Sequence, residues 1–124
     1  MADYKESIEK YMEAWNTDDH AIRLRLLRDS WVSDGEFLVM LLDAPLVGID
    51  PLATFISDTN VQFGFVGHRT SVVGEIVEHN SCALVSWRTV APDGTVTLEG
   101  QNFFEFEDGL IRRLVGFFPV ALPA

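Results

Sequence analysis

The alternation of apolar and polar residues divides the chain into a helical first half and a strand-rich second half. Over residues 3–15, Tyr4, Ile8, Tyr11, Met12 and Trp15 recur at helical spacing, while Lys5, Glu6, Glu9, Lys10 and Glu13 take the other face. That pattern predicts an amphipathic helix, because residues three and four apart share one side of it. The cluster Asn16-Thr17-Asp18 interrupts the period, and Asp18 or Asp19 is placed to cap a second helix reaching about Arg28. Ile22, Leu26 and Leu27 are its expected inward residues. Arg23, Arg25 and Arg28 read as a solvated face. Residues 30–35 form a polar break, and residues 36–42 an apolar run suited to a short strand. Asp50-Pro51 predicts a third helix, with Asp as N-cap and Pro at the first helical position, where its missing N–H costs nothing. Leu52, Phe55 and Ile56 supply its buried face, and it ends near Thr59-Asn60.

Past Gly64 and Gly67 the period changes to that of strands. Residues 68–77 form one strand, and His79-Asn80 turns the chain into residues 81–118, where three β-branched and aromatic runs are separated by turns. Each gap carries an Asp-Gly pair, Asp93-Gly94 and Asp108-Gly109. Glycine tolerates positive φ without a Cβ clash, so these pairs predict a three-stranded antiparallel meander. The expected class is α+β, with three N-terminal helices packed in a strongly curved, mainly antiparallel sheet. Gly74, Gly100 and Gly116 fall within strands and suit sharp bends.

Length and composition narrow the function. The 124 residues suit one domain spanning 1–124, with 48% apolar and 23% charged residues. Nine basic against nineteen acidic residues give a net charge of −10, which repels nucleic-acid backbones and anionic lipid surfaces. No apolar run approaches the ~20 residues needed to span a bilayer, and the N-terminus has no signal-peptide core, so a cytoplasmic setting is expected. Cys82 is the single cysteine, so no intrachain disulfide forms; mid-strand, it reads as a small buried hydrophobe. There is no GxGxxG, P-loop or GxSxG, and His20, His68 and His79 lack metal-ligand spacing. Neither a cofactor nor a metal is expected.

The order of elements, read with particular residues, resembles the nuclear transport factor 2-like superfamily, including its SnoaL-like and ketosteroid-isomerase-like branches. The residues that carry the resemblance are Tyr11-Met-Glu-Ala-Trp15-Asn-Thr-Asp18, Val32-Ser-Asp34, Val47-Gly48-Ile-Asp50, Ser86-Trp87, Pro92-Asp-Gly94, Gly100-Gln-Asn102 and Asp108-Gly-Leu-Ile111. The resemblance implies a cone whose sheet wraps the helices around an apolar pocket, and a homodimer through the outer sheet face. It also implies a function shared among isomerases, dehydratases, cyclases and non-catalytic binding modules.

In the ketosteroid-isomerase branch a helix-one tyrosine and a strand acid donate hydrogen bonds to a developing oxyanion. By resemblance Tyr11 matches the tyrosine, and counting back from Asp108-Gly109 places Glu99 at the acid. The branch's general base falls on Val39, which moves no proton; Asp34 and Asp43 nearby read as turn or capping residues. His68, opening a strand at the pocket rim, is the remaining acid/base candidate. Trp15, Trp31, Val39, Phe55, Trp87, Gln101, Phe103 and Phe117 are the expected pocket lining. The function expected is cofactor-free acid/base chemistry on a small apolar molecule by Tyr11, His68 and Glu99. The alternative is a non-catalytic ligand-binding or dimeric interaction module. One conflict stays open: the resemblance turns Glu99 inward, whereas hydrophobicity turns Phe104 and Phe106 inward, and a bulge near Gly100 satisfies both.

Overall fold

The computed structural model describes residues 4–119 of the chain. The amphipathic N-terminal segment forms α1 (Tyr4–Asn16), and Asp3, its expected first residue, lies outside the described residues. Then come α2 (His20–Ser30), β1 (Trp31–Leu38), the two-residue β2 (Leu46–Val47) and α3 (Ile49–Gln62). The second half is β3 (Arg69–His79), β4 (Cys82–Val90), β5 (Val96–Glu107) and β6 (Leu110–Phe117). They form one open, curved six-stranded sheet in the order β2-β1-β6-β5-β4-β3, wrapped on three helices. Every strand pair is antiparallel except β1 with β6.

The turns form where their residues dictate. Asp108 and Gly109 both have positive φ (53° and 81°) and join β5 to β6 by a two-residue hairpin loop. In the preceding loop Gly94 has φ 92°, and the Asp93 carboxylate accepts the Thr95 N–H. Of the two candidate caps for α2, Asp19 is the one used: its carboxylate accepts the N–H groups of Ala21 and Ile22.

Four expectations fail, each for a local reason. Residues 31–35 are strand rather than break; Trp31 and Gly35 are buried, Ser33 and Asp34 face outward, and the β1–β6 register shifts between Trp31 and Glu36. A Cβ on Gly35 would lie 2.6 Å from the Trp31 ring, so glycine is what lets that ring fold back on its own strand. Asp34 makes an ion pair with Arg112 rather than a turn hydrogen bond. Helix α3 starts two residues early, after Gly48, and Asp50 lies in its first turn, favourable to the helix dipole, instead of capping it. On α2 Leu27 is buried and Leu26 packs half-buried against the core as expected, but Arg23 and Ser30 are buried too and Ile22 is 41% exposed. Arg23 is thus no solvated residue.

The strand conflict resolves without a face switch at Gly100. Asn102, Phe104 and Phe106 are buried on the concave face with Ala83, Val85, Ile111 and Leu114 and the half-buried Trp87, and Glu99, Gln101 and Phe103 take the convex face. The bulges sit elsewhere, at Thr89/Val90 between β4 and β5 and at Glu105/Phe106 between β5 and β6. Gly100 is a site of close approach. A Cβ there would meet the Phe117 carbonyl oxygen at 2.5 Å and the Trp87 ring at 2.6 Å. A backbone oxygen does not step aside as a side-chain tip does. Gly100→Ala is therefore expected to destabilise the domain by about 2 kcal/mol; an unchanged denaturation midpoint would show that β5 and β6 part easily.

Candidate functional site

The concave face of the sheet and the helices enclose a cavity of about 240 Å³. Its inner wall is made by Tyr11, Met12 and Trp15 of α1, Phe55, Thr59 and Asn60 of α3, Phe37 of β1 with Val39 just beyond it, and Trp87, Thr89, Leu98 and Asn102 of β4 and β5. The rim carries Leu41, Phe63, Phe65, Phe118 and Pro119, of which Leu41 and Phe63 are well exposed. The Phe118 ring meets Trp87 edge-on, with centroids 6.2 Å apart.

Helix periodicity explains the first wall. Tyr11 and Trp15 are four residues apart, so both project from one face of α1. Tyr11 is buried, with Trp31 and Phe104 rings against it at 5.8 and 6.0 Å. Burial pushes its phenol pKa far up, and a hydrogen bond with the Trp15 side chain offsets only part of that. The hydroxyl therefore keeps its proton at any physiological pH. Strand parity explains the second wall. Trp87 and Gly100 are register partners, and the Trp87 indole N–H reaches diagonally to Asn102 Oδ1 at 3.1 Å. Hydroxyls of Thr70 and Thr89 pair at 2.8 Å, and Thr97 Oγ1 donates to the Thr89 carbonyl at 3.1 Å. The mouth is braced by Asn16, whose amide pairs with both the N–H and the carbonyl of Thr70 as a strand would. Asn60 donates to the Trp15 carbonyl at 3.1 Å.

Of the residues singled out from sequence, Tyr11, Trp15, Val39, Phe55 and Trp87 line this cavity. Glu99 does not. It stands on the convex face, 62% exposed, 3.8 Å from the Arg88 guanidinium of the neighbouring strand. Gln101 lies beside it and donates to Ser86 Oγ at 3.3 Å, while Phe103 and the 57%-exposed Phe117 share the convex face. Trp31 is buried behind the wall against Tyr11 and Phe37, its indole N–H without a partner among the described residues. His68 sits one residue removed from the cavity. Its ring packs on Phe65 at 5.7 Å, and Nδ1 lies 3.2 Å from Thr97 Oγ1. Thr97 spends its only proton on the Thr89 carbonyl, so it accepts from His68 Nδ1–H, and the Nε2 lone pair is left free.

Asn102 is the residue that sequence reasoning passed over. Its signal was available, since it shares parity with Phe104 and Phe106, and a polar side chain among inward aromatics asks for a partner or a ligand. No carboxylate, imidazole, thiol, ammonium or guanidinium lines the cavity among the described residues. No group of His, Cys, Asp and Glu among them has the geometry of a metal site, and none of the described helices is long and apolar enough to cross a membrane.

The SnoaL-like domain model matches residues 8–114. Among solved structures, a SnoaL-like family protein with a proposed isomerase activity from Agrobacterium tumefaciens is 25% identical, with a TM-score of 0.83 over 94% of this chain and 97% of that one. A proposed ketosteroid isomerase from Kribbella flavida is 19% identical (TM-score 0.69, 98% and 81% covered). A proposed SnoaL-like polyketide cyclase from a Jannaschia species is 15% identical (TM-score 0.70, 94% and 87% covered). At those two identities the likeness speaks for the fold alone. No curated protein sequence matches significantly.

Proposed function

The chain belongs to the SnoaL-like domain family, and from that membership we propose a cofactor-free enzyme that takes a small, largely apolar molecule into the cone with its polar end toward Tyr11 and Asn102. One observation carries the reading: an aromatic-walled cavity holds a fully buried phenol that stays protonated. A preorganised donor in a dry site stabilises negative charge as it develops on a substrate oxygen. Isomerisation, dehydration and cyclisation of carbonyl compounds all place such charge on oxygen. The proton acceptor is outside the inner wall. With valine at position 39, the candidate is His68, which sits beside the lining residue Thr97, with its Nδ1–H held by that hydroxyl and its Nε2 lone pair free.

The second reading, a non-catalytic ligand-binding module, is favoured by that same valine and by the lack of a carboxylate on the wall. Two substitutions separate the readings. Tyr11→Phe is expected to lower kcat/KM on small cyclic carbonyl substrates by about 10²–10³, and His68→Ala to abolish turnover while ligand affinity, read from Trp15 and Trp87 fluorescence, stays. Turnover untouched by both substitutions would remove Tyr11 and His68 from the mechanism. Saturable binding with no turnover across such a panel would favour the binding module.

A homodimer belongs to the same proposal. Register aligns Val77, Leu84, Phe103, Val115 and Leu38 into one apolar row across the convex face. A row with Glu105, Arg113 and Glu36 borders it on one side, and the Arg88–Glu99 pair lies beyond it on the other. Val77 and Leu84 are 61% and 43% exposed. A second copy of this chain would cover the row.

A further inference from the structure

Resting on the cavity reading above, we infer that Trp87 is a specificity-determining residue that fixes Asn102 as a hydrogen-bond donor, so that the cavity takes molecules whose buried polar end is a proton-free acceptor oxygen: a ketone, quinone or ester carbonyl. The inference starts from an asymmetry between the two side chains. An asparagine amide has an acceptor end and a donor end of nearly the same shape, and by itself it suits either kind of ligand by turning over. Indole nitrogen has no such choice. It carries one N–H and accepts nothing, so the atom 3.1 Å from Trp87 Nε1 has to be Asn102 Oδ1.

The remaining end of the amide is then Nδ2, with two N–H groups. Asn102 is only 6% exposed and lines the cavity, and no acceptor among the described residues takes a hydrogen bond from Nδ2. Turning the amide over would set N–H against N–H and strand a buried carbonyl oxygen. Gly116 leaves room for this pair, since a Cβ there would lie 3.1 Å from Oδ1.

A carbonyl oxygen offers two lone pairs and no proton, which suits the donors of the cavity wall, Asn102 Nδ2 and the Tyr11 phenol. A ligand whose buried end is an N–H would leave those donors without acceptors inside an apolar wall, and unmade buried hydrogen bonds are the costly kind. Trp87 acts through Asn102 and so positions it rather than touching the reacting atoms.

The test uses two bicyclic ligands of nearly equal shape, 1-indanone as acceptor only and indole as donor only, titrated against the 124-residue chain by calorimetry. Wild type is expected to bind 1-indanone roughly tenfold more tightly than indole, with the bound carbonyl infrared band moved to lower frequency than in hydrocarbon solvent. Trp87→Phe keeps the ring but loses the N–H, which frees the amide to turn. The preference should fall toward unity because indole binds better, and the carbonyl band should move part of the way back. Asn102→Leu should weaken 1-indanone and spare indole. Equal affinity for both ligands in wild type, or a preference that survives Trp87→Phe intact, would overturn the inference while leaving the cavity reading in place. Failure of both ligands, and of larger ketones, to bind would remove the cavity reading and this inference with it.

Discussion

Arg23→Met is expected to destabilise the domain by about 3 kcal/mol and to lower its melting temperature by roughly 10 °C. Arg23 is 3% exposed, and its guanidinium donates to the carbonyls of Ala14 and Thr17 and to Ser57 Oγ. Helix α1 ends at Asn16, so the Ala14 carbonyl is one of the terminal acceptors that no helical N–H reaches. One side chain therefore closes the end of α1, the loop to α2 and the flank of α3. Burial draws the guanidinium pKa down and the nearby Asp18 and Asp19 carboxylates oppose that, so the charge is kept. Methionine matches the stem and supplies no donor, leaving those acceptors to find others. Arg23→Lys, with a single point of charge and shorter reach, should recover only part of the loss. Arg25→Met, on an exposed residue of the same helix, should change stability by less than about 0.5 kcal/mol. Equal midpoints for Arg23→Met and Arg25→Met would mean that water replaces the guanidinium at no cost.

The same arginine marks the limit of what the chain reveals by pattern. Local rules place the hairpin at Asp108-Gly109, the cap at Asp18 or Asp19 and the amphipathic face of α1, because each depends on neighbours in sequence. Arg23 depends on acceptors 9 and 34 positions away. A residue count cannot tell a solvated arginine from one that closes a helix end. The site divides along the same line. Tyr11 and Trp15 follow from one helix face, and Trp87 from the inward parity of β4. Glu99 was placed by counting from a turn, and a strand alternates faces at each step, so an error of one residue exchanges solvent for cavity. Parity with Phe104 and Phe106 places Asn102 inside and Glu99 outside, and there the plain hydrophobic pattern was the better guide. The start of β1 was hidden by Ser33 and Asp34, which are polar because they face outward, and by a bulge that breaks the alternation.

Neighbouring phenylalanines on β5 give the register its sharpest test. Phe104→Ala is expected to cost about 3–5 kcal/mol, and Phe103→Ala only about 1 kcal/mol. Phe104 is fully buried, with Tyr11 edge-on at 6.0 Å and Phe106 stacked at 5.9 Å, and its strand partners are Ala83 and Leu114. Removing it leaves a void that the sheet cannot close, since both neighbouring strands are held by ladder hydrogen bonds. It also removes the ring that supports Tyr11, so ligand affinity should fall along with stability. Phe103 lies on the convex face between Leu84 and Val115 and is only half-buried. Its loss should leave the cavity untouched and instead weaken self-association, visible as a shift toward monomer in sedimentation at micromolar concentration. Chemical denaturation of both variants, with sedimentation alongside, reads the two faces separately. A reversed order of stabilities would place β5 one residue out of register, and that slip would carry Asn102 out of the cavity and Glu99 into it.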